Sequence, residues 1–230
     1  MQLINKHNFN YFPDIFSVQE LKKLFLFLQT NYDEKQKPIY GEWTRLRDYV
    51  IARVMYELAL RPLECLRIKI QEIDFLNGKI IINRNNNKRD KGRTMLLDSD
   101  LANLLKRYLN NWQTKKYMQS DFIFPTCQSK IINSDTWKQH FQEVLKGAGI
   151  YRDPTRGTHG HLSSYSLRHS RATYLYMQTH DIFFVADYLG HTTLNSTHVY
   201  IHLARLAQGY FNYIRKSIQN LNKIQNLYAE

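Results

Sequence analysis

Arg61 stands at the end of an apolar helical stretch, in ALRPLECLRIKIQEID. A guanidinium there is costly to desolvate unless it meets a carboxylate or a phosphate. Glu64, about one helical turn later, is the nearest carboxylate, so the segment reads either as a structural Arg–Glu pair or as part of an anion clamp. Arg168, in SSYSLRHSRATYLYM, raises the same question. Tyr165 precedes it by three residues, His169 and Arg171 follow it, and helical spacing puts 165, 168 and 169 on one face, either solvated or part of a site. Lys88 lies among Arg84, Asn85, Asn86, Asn87, Arg89, Lys91 and Arg93, a basic turn suited to touching phosphates. LGHTTLNSTHVYIHL places His191 after Leu189-Gly190 and Tyr200 nine residues later, with hydroxyl side chains between them. That stretch is either a polar loop or a device that gives Tyr200 a task.

The histidines also invite a metal reading, because His198 and His202 are four residues apart and His159 and His161 lie upstream. No carboxylate or cysteine stands at ligand spacing beside them, so no metal is expected.

These residues need a scaffold. FSVQELKKLFLFLQTNY opens with Ser17 and has Glu20 three residues on, a capping box, and Leu21, Leu24, Phe25 and Leu28 follow at helical spacing. A second helix is predicted from about Trp43 to Leu60, ended by Pro62. Asn77-Gly78 between apolar runs is a strong hairpin signal, and RTMLLD supplies a third strand after the polar tip, giving a small antiparallel sheet over about Ile70 to Leu97. Further helices are predicted at Ser99–Trp112, Ser134–Lys146, Ser166–Gln178, Asp181–Leu189 and Leu203–Leu227, with Gly190 as a C-terminal cap. The expected fold class is mainly α with a small three-stranded antiparallel sheet.

Composition narrows the partner. Of 230 residues, 43% are hydrophobic, enough for a packed core. Lys and Arg number 32 against 20 Asp and Glu, a net charge of +12, which points to a polyanion. Cys65 and Cys127 have no disulfide or zinc spacing, no secretory leader is evident in MQLINKHNFNYFPDIF, and no apolar run is long enough to span a membrane. A cytoplasmic, nucleoid-associated protein that binds nucleic acid and no membrane is therefore expected.

The order of the pieces is more specific than any one of them. Arg-x-x-Glu, a hairpin Lys, Leu-Arg-His, Leu-Gly-His and a Tyr nine residues on resembles the tyrosine recombinase family of phage integrases and Xer-type enzymes. The resemblance runs from about Phe16 to the C-terminus, with residues 1–15 as a short extension before a catalytic domain at 16–230. It implies that Arg61 and Arg168 clamp a DNA phosphate, Lys88 protonates the departing 5′ oxygen, His191 hydrogen-bonds the phosphate, Tyr200 is the nucleophile and Glu64 orients its neighbours. It further implies double-stranded DNA as partner, a tetramer on DNA, and a 3′-phosphotyrosine intermediate that needs neither metal nor ATP nor another cofactor. Arg84, Arg89, Lys91, Arg93 and Arg171 are expected to touch DNA, and Tyr165 and His169 are candidates for a catalytic or supporting role.

Two features depart from the family pattern. The position three before the second arginine is usually His and here is Tyr165, a poor general base at neutral pH. Only about fifteen residues precede the catalytic pattern, as in short relatives such as the fimbrial switch invertases. Two alternatives stay open: a DNA-binding protein of this fold that has lost strand exchange, and a type IB topoisomerase or telomere resolvase. From Leu203 onward, apolar residues recur every three or four positions, and this tail is expected to fold back on its own core or to dock on a neighbouring protomer.

Overall fold

The computed structural model describes residues 14–30, 41–83, 92–119, 121–150 and 162–207. The hairpin tip with Arg84, Lys88, Arg89 and Lys91, His159 and His161, and the tail beyond Ala207 lie outside the described residues.

Helix α1 (Val18–Thr30) starts at the capping box, where the Ser17 N–H donates to Glu20 Oε2 at 2.8 Å and the Glu20 N–H to Ser17 Oγ at 3.2 Å. Its buried Leu21, Leu24 and Leu28 lie on α2 (Glu42–Glu57), the central helix, whose Val50, Ile51, Val54 and Met55 are wholly enclosed. The expected helix to Leu60 ends at Glu57 instead. Leu60 N–H bonds to the Met55 carbonyl and Ala59 N–H to the Tyr56 carbonyl, closing α2 with Ala59 in the left-handed region at φ 47°. Helix α3 (Pro62–Leu66) follows with proline in its first position, where a missing N–H costs nothing.

The sheet is antiparallel in the order β1 (Ile73–Asp74), β2 (Lys79–Ile82), β3 (Arg93–Leu96), with Ile73 opposite Ile80 and Ile80 opposite Met95. Asp74 Oδ1 accepts the Leu76 and Asn77 N–H groups, and Gly78 at φ 60° completes the turn. Along β3, Met95 and the largely covered Arg93 point inward, while Thr94 and Leu96 face out.

The remaining chain is helical: α4 (Ser99–Asn110), α5 (Trp112–Tyr117), α6 (Ser134–Gly147), α7 (Ser164–Thr179), α8 (Ile182–Leu189) and α9 (Val199–Ala207). The predicted helix through Trp112 is broken at Asn111, whose extended backbone (ψ 134°) ends α4 and whose side chain caps α5. The last helix begins at Val199 rather than at Leu203, so Tyr200 sits in its first turn and not on a loop. The reason is packing. Tyr200, Leu203 and Ala204 are buried side chains on one face of α9, and burying a side chain the size of leucine contributes about 1.5–3 kcal/mol.

A main core joins α1, α2, the sheet, α4 and α6. A smaller cluster of Ala59, Ala172, Leu175, Val185, Leu189, Tyr200 and Leu203 joins the end of α2 to α7, α8 and α9. Among the described residues, no helix is long and apolar enough to cross a membrane.

Gly190 closes α8 in the left-handed region at φ 69°, with the His191 N–H bonded to the Ala186 carbonyl at 2.9 Å. An alanine there is strained by its Cβ. Gly190→Ala is expected to lower the unfolding free energy by about 1–2 kcal/mol, read from urea titration, and an unchanged midpoint would show that the cap tolerates a side chain.

Candidate active site

Glu64 lies in the first turn of α3, and its carboxylate turns back to accept the Arg61 N–H at 2.8 Å. The same carboxylate meets three guanidiniums. Arg61 Nη1 donates to Oε1 at 3.2 Å, Arg93 Nη1 to Oε1 at 3.1 Å and Nη2 to Oε2 at 3.3 Å, and Arg168 Nη1 to Oε2 at 3.3 Å. The Glu64 side chain is only 3% exposed, those of Arg93 and Arg168 are 9% and 3%, and that of Arg61 is 27%, leaving Arg61 as the cation most open to a ligand. Burial alone would raise the Glu64 pKa. The hydrogen bonds and charge of Arg93, the charge of Arg168 and the Arg61 N–H outweigh it and hold the carboxyl below its usual value.

Arg168, on α7, is fixed from three further sides. Its Nη1 donates to the Ala59 carbonyl at 2.7 Å, and its Nη2 to the Leu189 carbonyl at 2.9 Å and to His191 Nε2 at 3.1 Å. Both carbonyls belong to helix ends closed by left-handed residues, Ala59 after α2 and Gly190 after α8. Burial, and then the charge of Arg61, lower the Arg168 pKa to about 10, and the side chain remains a cation at neutral pH.

His191 is held between two groups. An arginine can only donate, so Nε2 is the acceptor and Nδ1 carries the hydrogen, which goes to Thr197 Oγ1 at 2.8 Å. Burial, then Arg168, Arg61 and Arg93, push its pKa down to about 3, so the ring is neutral. Thr197 is fully buried, which gives one hydroxyl of the polar stretch a definite purpose.

Tyr200 is 2% exposed and reaches in from α9. Its hydroxyl lies 3.1 Å from His169 Nδ1, with the rings 5.8 Å apart. Burial raises the phenol pKa, and the charge of Arg168 and then that of Arg61 oppose that rise. His169 is kept neutral as well, at about 4, by burial and by Arg168 beside it.

The sequence-predicted residues thus separate. Arg61, Glu64, Arg168, His169, His191 and Tyr200 come together. Arg93, expected on the DNA surface, is instead bonded to Glu64 inside the cluster; its inward place in the alternation of β3 was the available signal. Arg171, also expected on that surface, packs over the Tyr56 ring at 5.7 Å. Tyr165 does not share the buried face of Arg168, being 47% exposed. Among the described residues, no three His, Cys, Asp or Glu side chains gather as a metal site.

The helical body with its three-stranded sheet has the fold of a tyrosine recombinase catalytic domain. It superposes on XerH bound to palindromic difH substrate in a post-cleavage complex, with TM-score 0.69, 23% identity, 93% of this chain and 56% of the other. It superposes on the XerA recombinase with TM-score 0.67, 21% identity, 89% of this chain and 64% of the other. Residues 17–206 match the phage integrase family, and the chain belongs to that family. Similar sequences include a probable integrase/recombinase of Methanocaldococcus jannaschii, 28% identical over 182 residues, and tyrosine recombinase XerC of Staphylococcus epidermidis, 27% identical over 215 residues. Those alignments take in 78% and 92% of this chain but 52% and 65% of the relatives' lengths.

Among the described residues, Glu64 is the carboxylate that all three guanidiniums share, so for Glu64→Gln a loss of about 3–5 kcal/mol in stability is expected at pH 7. A carboxyl with a depressed folded pKa contributes stability above its unfolded pKa, about 4.3, and that contribution disappears as pH falls through the folded value. The urea midpoints of wild type and variant should therefore converge in acid. A gap as wide at pH 3 as at pH 7 would show that the charge of Glu64 is not what stabilises the fold.

Proposed function

We propose that this chain is a site-specific DNA recombinase or integrase that cleaves and rejoins DNA through a 3′-phosphotyrosine link. One observation carries the reading: three guanidiniums share a single carboxylate beside a buried phenol. Such a cluster keeps a surplus of positive charge with little water to screen it, and it favours an anion of phosphodiester kind. Arg61 and Arg168 bind the non-bridging oxygens and neutralise the charge that grows on them as Tyr200 attacks. Arg93 holds Glu64 and adds to the positive field.

His191 gives its second bond to the phosphate. With Nε2 unprotonated it cannot donate, but a bound anion beside Arg168 offsets the cations that depress its pKa and favours a proton there. Lys88, on the hairpin, supplies the proton to the departing 5′ oxygen. The phenolate is in turn a fair leaving group, so a 5′-hydroxyl reverses the step and the bond energy is kept without ATP. The basic hairpin residues Arg84, Arg89 and Lys91 grip the DNA backbone. Assembly as a tetramer on double-stranded DNA, through the tail after Leu203, and association with the nucleoid belong to the same proposal.

A nicked suicide substrate that carries the protein's own site tests it. Wild type should accumulate a covalent protein–DNA adduct and Tyr200→Phe none. An undiminished adduct in the variant would remove Tyr200 from the role. Affinity for the site should fall steeply as salt rises, and adduct formation should survive EDTA; its abolition by EDTA would count against a metal-free mechanism.

A further inference from the structure

The geometry points to His169 as the group that takes the Tyr200 proton during cleavage. The inference rests on the reading that Tyr200 is the nucleophile, and it names the base which that reading lacks. Position 165, one turn earlier on α7, carries a tyrosine that is 47% exposed and has no imidazole to offer. His169 places Nδ1 3.1 Å from the phenol oxygen, within the range for direct proton transfer.

The hydrogen-bond roles support this direction of transfer. A neutral imidazole has one nitrogen without hydrogen, and with Nδ1 in that role the phenol O–H donates to it. Arg168 acts on the phenol through its charge, which lowers the phenol pKa. Among the described residues, two groups act on the imidazole: Arg168, beside it on α7, and the Tyr200 hydroxyl from α9. From α2 and α8, which also pack on α7, the Tyr56 ring lies under the Arg171 guanidinium and the Tyr188 hydroxyl donates to the Glu57 carbonyl.

Burial and Arg168 keep the ring neutral, at about 4, so its lone pair is vacant at neutral pH. A base that weak is poorly matched to a free phenol. When a phosphodiester binds the arginines, its negative charge offsets the cation that depresses His169, and the ring becomes more basic as the substrate arrives. Formation of the Oη–P bond meanwhile acidifies the phenol. In the balanced step, the Tyr200 O–H proton passes to Nδ1, the Oη–P bond forms, and the P–O5′ bond breaks with its electron pair leaving on O5′. The lysine proton then neutralises O5′. On rejoining, Nδ1–H returns its proton to Tyr200.

Single-turnover adduct formation on the suicide substrate tests the assignment, with wild type and Tyr200→Phe run beside His169→Ala and His169→Asn. Both His169 variants should bind a half-site as wild type does and form adduct about 10²–10⁴-fold more slowly. The wild-type rate should be flat from pH 6 to 8. The His169→Ala rate should climb about tenfold per pH unit, because phenolate must then form beforehand, and added imidazole should speed it. Asparagine keeps an acceptor near the phenol but cannot carry the proton away, so it separates orientation from proton transfer. Wild-type rates in His169→Asn, or a slow His169→Ala with a flat pH profile and no response to imidazole, would overturn the proposal. Equal adduct in Tyr200→Phe would overturn the nucleophile itself, a result separable from any behaviour of position 169.

Discussion

The site depends on one buried carboxylate. Two unit charges about 4 Å apart interact by about 4 kcal/mol at the effective dielectric of a protein's outer interior, so Arg61, Arg93 and Arg168 would drive one another apart if left alone. Glu64 offsets that repulsion by standing among all three, and it can do so because the first turn of α3 offers the Arg61 N–H as a further anchor. The same contacts tie three elements together, since Arg61 precedes α3, Arg93 opens β3 and Arg168 lies on α7. The small sheet and the late helices are thereby held in register across a charged seam rather than an apolar one. One carboxylate cannot neutralise three cations, and the remaining charge gives the seam its preference for an anion.

The backbone has been bent to serve that seam. Arg168 takes the carbonyl of Ala59 and the carbonyl of Leu189, one from each of two helix ends that turn through the left-handed region. Gly190 makes that turn without a steric penalty. Ala59 does not, and its Cβ costs about 1–2 kcal/mol. The strain is tolerated because the turned carbonyl meets a guanidinium, where a hydrogen bond is stronger than one between neutral groups. Ala59 is fully buried against the smaller core, so the packing of α7 and α9 keeps the turn from relaxing.

What the sequence made legible follows the range of each interaction. Arg61 and Glu64 are three residues apart, as are Ser17 and Glu20, and both pairs behave as local spacing suggests. Gly190 likewise reads as a cap from its neighbours alone. The Asn77-Gly78 turn and three short strands were equally local. Arg93 was placed on the wrong surface because its partner lies 29 residues away, across the sheet. Tyr200 was expected on a loop because the polar run before it hides the apolar side that α9 turns toward α7. That side shows only once Leu203 and Ala204 are counted with it. Helical spacing put Tyr165 with Arg168, but the packed face of α7 runs through 168 and 169 and leaves 165 in solvent. The family resemblance identified the order of the site residues, which pattern reasoning about separate segments could not have supplied.

Neutral imidazoles on both sides of one guanidinium give the cluster a graded response to its ligand. His191 and His169 are both depressed by burial first and then by Arg168. Their effect on each other is therefore carried largely by that shared cation. An anion seated on Arg168 cancels part of its field at both rings at once. Each ring then becomes a better proton acceptor without any movement of its own. His191 can exchange its bond to Arg168 for one to the anion, while Thr197 keeps the ring in place from the other side. In the absence of an anion, both rings stay neutral and the phenol, bonded and buried, stays protonated. On the proposed function, reactivity is withheld by the same electrostatics that favour a phosphodiester, and the binding of that anion relieves it.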